Sequence, residues 1–182
     1  MWKCGAYPTS ARRPGRRGAR TRSGGKTVLK IAAVADVHSG GVEDTERFQD
    51  LVRGAARDAD TLVVGGDLTN HGRPEEVEVL LGVLDRCPIP VIVILGNHDH
   101  ESGNAAGLSR LLSESSVHLL DRSSLVIDGV GFSGVKGFCG GFDQTAANAF
   151  GEKLFKDWVT EGILDAEALK SELRGLETER RV

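Results

Sequence analysis

The sequence predicts an α/β fold built on a parallel sheet that is covered on both faces. Short runs of valine, isoleucine and leucine alternate with longer segments whose apolar residues recur at helical spacing. Such runs are typical of parallel strands buried on both faces, and the alternation is typical of βαβ units. The chain has 182 residues, of which 40% are hydrophobic, so it can bury the core of one ordinary domain.

Three apolar runs predict the first three strands, and each is followed by a segment that predicts a helix. The strands are expected at residues 28–36, 61–67 and 90–97, and the helices at residues 42–58, 73–87 and about 104–114. Five apolar residues have the spacing of a core-facing side in the first helix: Val42, Phe48, Leu51, Val52 and Ala55. In the second helix, Pro74 and the two glutamates after it favour an N-terminus.

The second half of the chain has a different pattern. Residues 117–120 predict a short fourth strand. Two alternating runs around Asp128-Gly129 predict a β-hairpin, because this dipeptide is suited to a two-residue turn. Residues from about 145 to 178 are expected to be largely helical, with an interruption near Gly162. The last residues predict the beginning of another strand.

The first 27 residues differ in composition from the rest. Residues 1–30 contain nine basic residues and no acidic one, whereas the remainder contains all 26 acidic residues and 14 basic ones. Because residues 1–27 have few large apolar side chains, burial cannot offset the entropy of ordering them, and we expect a disordered basic extension. It has no specific role, or it is an arm that binds nucleic acid, or it is an arginine-rich transit-like peptide. Residues 28–182 are expected to form one domain.

The cysteines and the apolar runs limit the class of protein. Cys4, Cys87 and Cys139 are far apart and form no Cys-x-x-Cys pair, which argues against a disulfide framework and a zinc knuckle. No apolar run approaches the roughly 18 residues that cross a bilayer, and the basic N-terminus lacks the apolar core of a secretory signal. We therefore expect a soluble, cytoplasmic protein without a membrane partner.

Each of the first three predicted strands ends in polar residues. Asp36 and His38 follow the first, Asp67 the second, and Asn97 and His98 the third. Ligands bind at the carboxyl ends of the strands in open α/β sheets, so we expect these side chains to converge. In an extended segment residues i and i+2 point to the same side, which would let the first two share one cation. Oxygen and imidazole ligands suit Mn²⁺, Fe or Zn²⁺.

Three sequence blocks carry a resemblance to a known family. "ADVH", "GGDLTNHG" and "LGNHDH", in this order, resemble the first three signature blocks of the calcineurin-like metallophosphoesterases, D-x-H, G-D and G-N-H-D/E. The resemblance covers about residues 28–140. It implies a layered α/β sandwich of the α/β/β/α type. It also implies an enzyme that hydrolyses a phosphomonoester or a phosphodiester at a binuclear metal centre.

The resemblance implies a role for each matched residue. Asp36 and His38 would bind the first of two divalent metal ions, Asp67 would bridge the two ions, and Asn97 would bind the second. His98 would protonate the leaving-group oxygen, a task suited to a side chain that titrates near neutral pH. The ions would be Mn²⁺, Fe or Zn²⁺.

Four other residues near these blocks invite a functional interpretation. Asp99 is expected to make a loop hydrogen bond in preference to orienting an imidazole. His71 and His100 are expected to be exposed loop histidines, the alternative being contact with substrate phosphate. His118 is expected to be structural, because it lies in the predicted fourth strand.

The chain lacks part of the family pattern. Family members have two further histidine blocks, whereas no histidine follows His118 here. The resemblance therefore implies a domain that is incomplete at its C-terminus and a chain of low activity. The alternative is a non-catalytic remnant of the fold, or a nucleic-acid-binding module whose arginine-rich arm gives it salt-dependent affinity.

We expect residues 1–27 to be dispensable for folding, because their composition adds almost nothing to an apolar core. Deleting them should leave the thermal midpoint Tm of residues 28–182 within about 1 °C of the full chain's. A drop of several degrees would contradict the prediction, since in a domain of this size it corresponds to about 1 kcal/mol or more.

Overall fold

The computed structural model describes residues 28–40, 42–137, 144 and 146–182. The basic segment of residues 1–27 lies outside the described residues, as do Cys4 and Cys139. Cys87 is a free, partly buried thiol. No helix within the described ranges is long and apolar enough to span a membrane.

Four parallel strands form the first sheet. They are β1 (Ile31–Val34), β2 (Thr61–Gly65), β3 (Val91–Ile94) and β4 (His118–Leu119), and they lie side by side in this order. Three helices connect them, namely α1 (Val42–Asp58), α2 (Pro74–Leu84) and α3 (Ala105–Glu114). A 3-10 turn, His98–His100, follows β3. The predicted elements of this half are confirmed, with strands shorter than the apolar runs.

The three helices cover one face of the first sheet. Val91 and Val93 of β3 are buried in a core to which all three helices contribute. Ile92, between them, points to the opposite face and belongs to a second core. Alternate residues of β3 are thus buried on opposite faces, which is why the run is continuously apolar. Each such side chain contributes about 1.5–3 kcal/mol by leaving water.

A second sheet covers the other face. Strands β5 (Ser123–Ile127) and β6 (Val130–Gly134) form the predicted antiparallel hairpin, and β7 (Arg180–Arg181) pairs in parallel with β6. Asp128 and Gly129, between β5 and β6, have φ values of 47° and 79°. Both values are positive, as a type I′ turn requires. The hairpin closes the second core over Ile92.

A long helix, α4 (Lys153–Gly175), lies on the outer side of the hairpin. Ser124 of β5 donates a hydrogen bond to Glu172 of α4. The apolar residues of β5 and β6 that pack with Ile92 point to the opposite face of the hairpin. The layers are therefore helices, sheet, sheet and helix. The predicted α/β/β/α sandwich is confirmed for the described residues.

An ion pair fixes α4 to the second sheet. Arg122, just before β5, donates from Nε to Asp165 Oδ1 and from Nη2 to Glu161 Oε2, both at 2.7 Å. Asp165 is only 5% exposed, so its charge depends on this partner. The two hydrogen bonds raise the pKa of Arg122 further above its ordinary value.

Two sequence predictions about helices are wrong. α4 begins at Lys153, not near residue 145, and continues unbroken through Gly162. A helical glycine costs about 1 kcal/mol relative to alanine. In α4 this cost is offset because Val159 and Asp165, on either side of the glycine, are buried. The sequence around Gly162 does not show that Val159 and Asp165 are buried, because the residues that bury them belong to other elements.

Leu51 was expected in the core of the domain but is 40% exposed. It borders an open groove of about 570 Å³ together with Ile31 and other residues of β1. β1 is the edge of the first sheet among the described residues. Among the described residues, no further strand lies beyond β1. The side of α1 that carries Leu51 therefore has no strand to pack against.

We expect Arg122→Ala to destabilise the protein by about 2 kcal/mol, because it leaves the buried Asp165 carboxylate without its cation. The Tm should fall by about 4–8 °C for a chain of this size. Arg110→Ala, an exposed position on α3, is the matched control and should change Tm little. Adding Asp165→Asn to Arg122→Ala should recover part of the loss. An unchanged Tm in the single variant would contradict this account of α4.

Candidate metal centre

The predicted site residues follow the carboxyl ends of three neighbouring parallel strands. Asp36 and His38 follow β1, Asp67 follows β2, and Asn97 and His98 follow β3. Because β1, β2 and β3 are parallel and adjacent, their carboxyl ends lie at the same edge of the sheet. The sequence prediction that these segments meet at one edge agrees with the structure.

Backbone hydrogen bonds continue the pairing of β1 and β2 into the loops that follow. Asp36 N donates to Gly66 O at 3.2 Å, and His38 N donates to Asp67 O at 2.9 Å. One residue later, Ser39 N donates to Leu68 O at 2.9 Å. The loop after β1 is therefore held against the loop after β2, and the positions of their side chains are fixed relative to each other.

Three of the site residues have a left-handed backbone conformation. The φ values are 54° at Asp36, 46° at His38 and 46° at Asp67. For residues with a Cβ this conformation costs about 1–2 kcal/mol each, and such strain is concentrated at functional sites. The expectation that the segment from Asp36 to His38 is extended is therefore wrong. The loop turns sharply at both residues.

The side chains form two groups that share Asp67. Asp36, Asp67 and Asn97 line a cavity of about 310 Å³ at the sheet edge. Ligand atoms of His38, Asp67 and His98 all lie within 4.8 Å of one another. The structure thus brings all five predicted residues to one place, with His98 among the potential metal ligands.

The residues present fit a divalent cation. His38 Nδ1 is buried and has no hydrogen-bond partner among the described residues. A buried polar atom without a partner costs about 1–3 kcal/mol, and a cation bound by its lone pair would remove that cost. The donor set of imidazole and carboxylate suits Mn²⁺, Fe or Zn²⁺. The site has the chemistry of a metal centre.

Asp99 joins the loops that follow β2 and β3. It is fully buried, and its Oδ1 accepts hydrogen bonds from Thr69 N at 2.8 Å and Thr69 Oγ1 at 2.6 Å. Its Oδ2 accepts from Leu68 N at 3.1 Å and Gly96 N at 2.7 Å. The sequence prediction of a loop hydrogen bond is confirmed, and the structure shows four such bonds.

Glycines allow these loops to approach one another. A Cβ at Gly96 would collide with the carboxylate and backbone of Asp67. Gly72 has a φ of 69°, and a Cβ there would lie 2.7 Å from the carbonyl oxygen of Asp99. Any larger residue at either position would push the loop after β2 away from the loop after β3.

His98 is oriented by two hydrogen bonds. Its backbone N–H donates to Asp67 Oδ1 at 3.0 Å, and its ring Nδ1–H donates to the Asn70 carbonyl at 2.9 Å. Because a carbonyl only accepts, Nδ1 carries the proton and Nε2 is the nitrogen that is free for chemistry. The Asn70 carbonyl raises the pKa of His98, and the carboxylates of Asp67 and Glu101 raise it further.

The other histidines are where the sequence predicts. His71 and His100 are exposed in the loops after β2 and β3, and His71 Nδ1 lies 3.4 Å from Glu101 Oε2. His118 is in β4, where burial lowers its pKa. None of these three belongs to the ligand group of His38, Asp67 and His98 among the described residues.

Sequence reasoning missed two residues of the site. Thr69 is fully buried and donates to Asp99, while its Oγ1 accepts from Gly72 N at 3.0 Å. Thr69 is followed by Asn70 and Gly72, and this combination is typical of a turn. The combination is the sequence signal that could have identified Thr69. Lys136 lines the 310 Å³ cavity from the end of β6. In the sequence, Lys136 is marked only by its position next to Gly137 just after the hairpin, which does not indicate a site.

Comparisons with known proteins identify the family of the chain. The sequence profile of the family described as calcineurin-like phosphoesterase matches residues 29–173. The chain is 34% identical to a probable cyclic nucleotide phosphodiesterase of Fibrobacter succinogenes, over 41% of this chain and 32% of that protein. It is also 34% identical to the glycerophosphodiester phosphodiesterase GpdQ of Enterobacter lignolyticus, over 40% of this chain and 25% of that protein.

The matches with these relatives are partial. The chain spans about a third of the length of the first relative and a quarter of the length of the second. A solved structure of a protein of unknown function from Aquifex aeolicus aligns with 76% of this chain and 74% of that chain, at 16% identity and a TM-score of 0.33.

We expect Asp99→Asn to destabilise the protein by about 2–3 kcal/mol, although it barely changes the shape of the side chain. The amide replaces one acceptor oxygen with a donor, which would then face an N–H group in a buried site. The Tm should fall by about 4–10 °C. Asp128→Asn in the exposed hairpin turn is the control, because asparagine suits that turn equally well. Equal Tm values for the two variants would show that the Asp99 network is unimportant.

Proposed function

Because the chain belongs to the calcineurin-like phosphoesterase family, we propose that its sheet-edge site hydrolyses a phosphate ester with bound divalent metal ions. The observation that carries the proposal is the shared position of Asp67. This carboxylate lies within 4.8 Å of ligand atoms of two imidazoles and also borders the cavity beside Asp36 and Asn97. A carboxylate between two groups of ligands is suited to bridge two cations.

The proposed metal ligands are those that the sequence predicts. Asp36 and His38 would hold one ion, Asn97 the second, and Asp67 both. Bound ions would supply Lewis-acid charge to the phosphoryl oxygens and lower the pKa of a bound water. The left-handed conformations of Asp36, His38 and Asp67 support this assignment, because strain of this kind is retained where side chains must have one particular direction.

His98 is proposed as the general acid and not as a metal ligand. Its Nδ1–H is bound to the Asn70 carbonyl, which leaves Nε2 to carry a transferable proton when the ring is charged. The side chain is 40% exposed, so a substrate can reach it.

The reaction that these residues support is a displacement at phosphorus. A water oxygen forms the new bond to phosphorus as the bond to the leaving-group oxygen breaks. The proton of His98 Nε2 goes to the departing oxygen. The attacking water releases one proton to solvent, and His98 regains a proton from solvent before the next turnover. This proton transfer raises the rate of hydrolysis about 10²–10⁴-fold when the leaving group is strongly basic.

A phosphodiester is the substrate class that we favour. Both relatives with 34% identity carry the name of a phosphodiesterase. The cavity is open at the sheet edge and is bordered by both acidic residues and a lysine.

We expect weak turnover of bis-p-nitrophenyl phosphate by the purified chain that requires Mn²⁺ and is abolished by EDTA and by Asp67→Asn. His98→Ala should lower kcat for a phenyl diester by about 10² or more, but much less for the p-nitrophenyl diester, whose leaving group needs no proton. His71→Ala, an exposed histidine in the same region, should stay within about twofold of wild type.

Three results would contradict the proposal. These are turnover that resists EDTA, no metal-dependent turnover of either ester, and equal losses on both esters in His98→Ala. The last result would assign His98 to metal binding or structure. Measuring Mn²⁺ affinity by electron paramagnetic resonance in Asp67→Asn and His98→Ala provides a readout independent of turnover, because only the first variant should weaken binding strongly.

A further inference from the structure

The cavity at the sheet edge is lined by residues of both sheets. Asp36, Asp67 and Asn97 come from the first sheet, whereas Lys136 follows β6 of the second. Lys136 is the only basic residue among those that line this cavity in the described part of the chain. Lys136 thus borders the same cavity as two carboxylates and an amide.

Lys136 does not serve as a structural partner for these carboxylates. None of the ion pairs within 4.0 Å among the described residues includes it. Its Nζ makes one hydrogen bond, donating to the carbonyl of the adjacent Gly137 at 3.2 Å. An ammonium group has three donors, so two remain for another acceptor. The side chain is exposed.

The backbone that carries Lys136 is, in contrast, firmly held. Gly134, two residues earlier, pairs with Ser123 at the end of the hairpin. A Cβ at Gly134 would lie 2.7 Å from the Cβ of Leu120, so the hairpin is in close contact with the chain just after β4. The lysine is a flexible charged side chain at the end of a rigid strand. Such an arrangement lets the ammonium follow a ligand in the cavity.

The charge of Lys136 also reaches the turn that contains His98. Burial lowers the pKa of His100, and the Lys136 ammonium lowers it further. His100 belongs to the same 3-10 turn as His98. The lysine therefore lies near this turn, and it borders the same cavity as Asp36, Asp67 and Asn97.

We propose that Lys136 binds a non-bridging oxygen of the substrate's phosphoryl group. The inference rests on the proposed function and adds a positioning residue to it. Lys136 borders the same cavity as the proposed metal ligands Asp36, Asp67 and Asn97, so its ammonium can donate a charge-assisted hydrogen bond to an anionic phosphate bound there. Lysine is suited to the task because it acts as a point charge with rotatable donors and does not demand one fixed geometry.

The test measures phosphate binding and turnover separately. Inorganic phosphate is titrated into the Mn²⁺-loaded full chain, and its dissociation constant is measured by calorimetry and as an inhibition constant against bis-p-nitrophenyl phosphate. The variants are Lys136→Ala, Lys136→Arg, and Lys156→Ala on the exposed surface of α4 as the control. Circular dichroism and Mn²⁺ affinity show whether each variant is folded and retains its metal site.

We expect Lys136→Ala to weaken phosphate binding about tenfold or more, the typical loss for one charge-assisted hydrogen bond. KM should rise by a similar factor, and kcat should fall less. Lys136→Arg should stay within about threefold of wild type, because the charge is kept. Lys156→Ala should be unchanged. Mn²⁺ affinity should not decrease in any of the three variants.

The outcomes distinguish this inference from the proposed function. If Lys136→Ala binds phosphate as tightly as wild type while turnover still requires Mn²⁺, the lysine inference is wrong and the proposed function stands. If phosphate affinity depends on Lys136 but no metal-dependent turnover occurs, the anion contact stands and the proposed function fails. If wild type binds no phosphate, the lysine inference is overturned regardless of turnover.

Discussion

The buried carboxylate of Asp99 is the contact that holds the site together. Its two oxygens accept hydrogen bonds from Leu68, Thr69 and Gly96, which connects the loop after β2 to the loop after β3. Asp67 lies in the first of these loops and His98 in the second, so the distance between them depends on this carboxylate. A buried charge is stable only when its lone pairs are satisfied, and here four donors converge on it.

The strain in the ligand loops is compatible with folding because the sheet beneath them is regular. Asp36, His38 and Asp67 all have positive φ values, a cost that a marginally stable protein can bear only where packing is good. β1, β2 and β3 pair in register up to the residues where the loops begin. The fully buried side chains of β2 and β3 provide the apolar burial that offsets the strain.

The second sheet has both a structural and a functional effect. Its hairpin covers Ile92 of β3 and closes the second core. The same hairpin ends at the mouth of the cavity and brings Lys136 beside Asp36 and Asp67. A site whose anionic side comes from one sheet and whose cation comes from the other depends on how the two sheets pack.

The sequence by itself determined the elements and the chemistry of the ligands. Apolar runs gave the strands, Asp128-Gly129 gave the hairpin turn, and the strand ends identified Asp36, Asp67 and Asn97 as polar residues at one edge. These features depend on periodicity over a few residues and on the known position of ligands in parallel sheets. They are local, and a single sequence therefore contains them.

The tertiary structure decided how these residues face one another. The hydrogen bonds of Asp99 to Leu68 and of His98 to Asn70 join residues 31 and 28 positions apart. The left-handed turn at His38, the unbroken helix through Gly162 and the approach of Lys136 likewise depend on contacts between distant elements. Local spacing does not encode such contacts, because they form only after the loops close and the sheets pack.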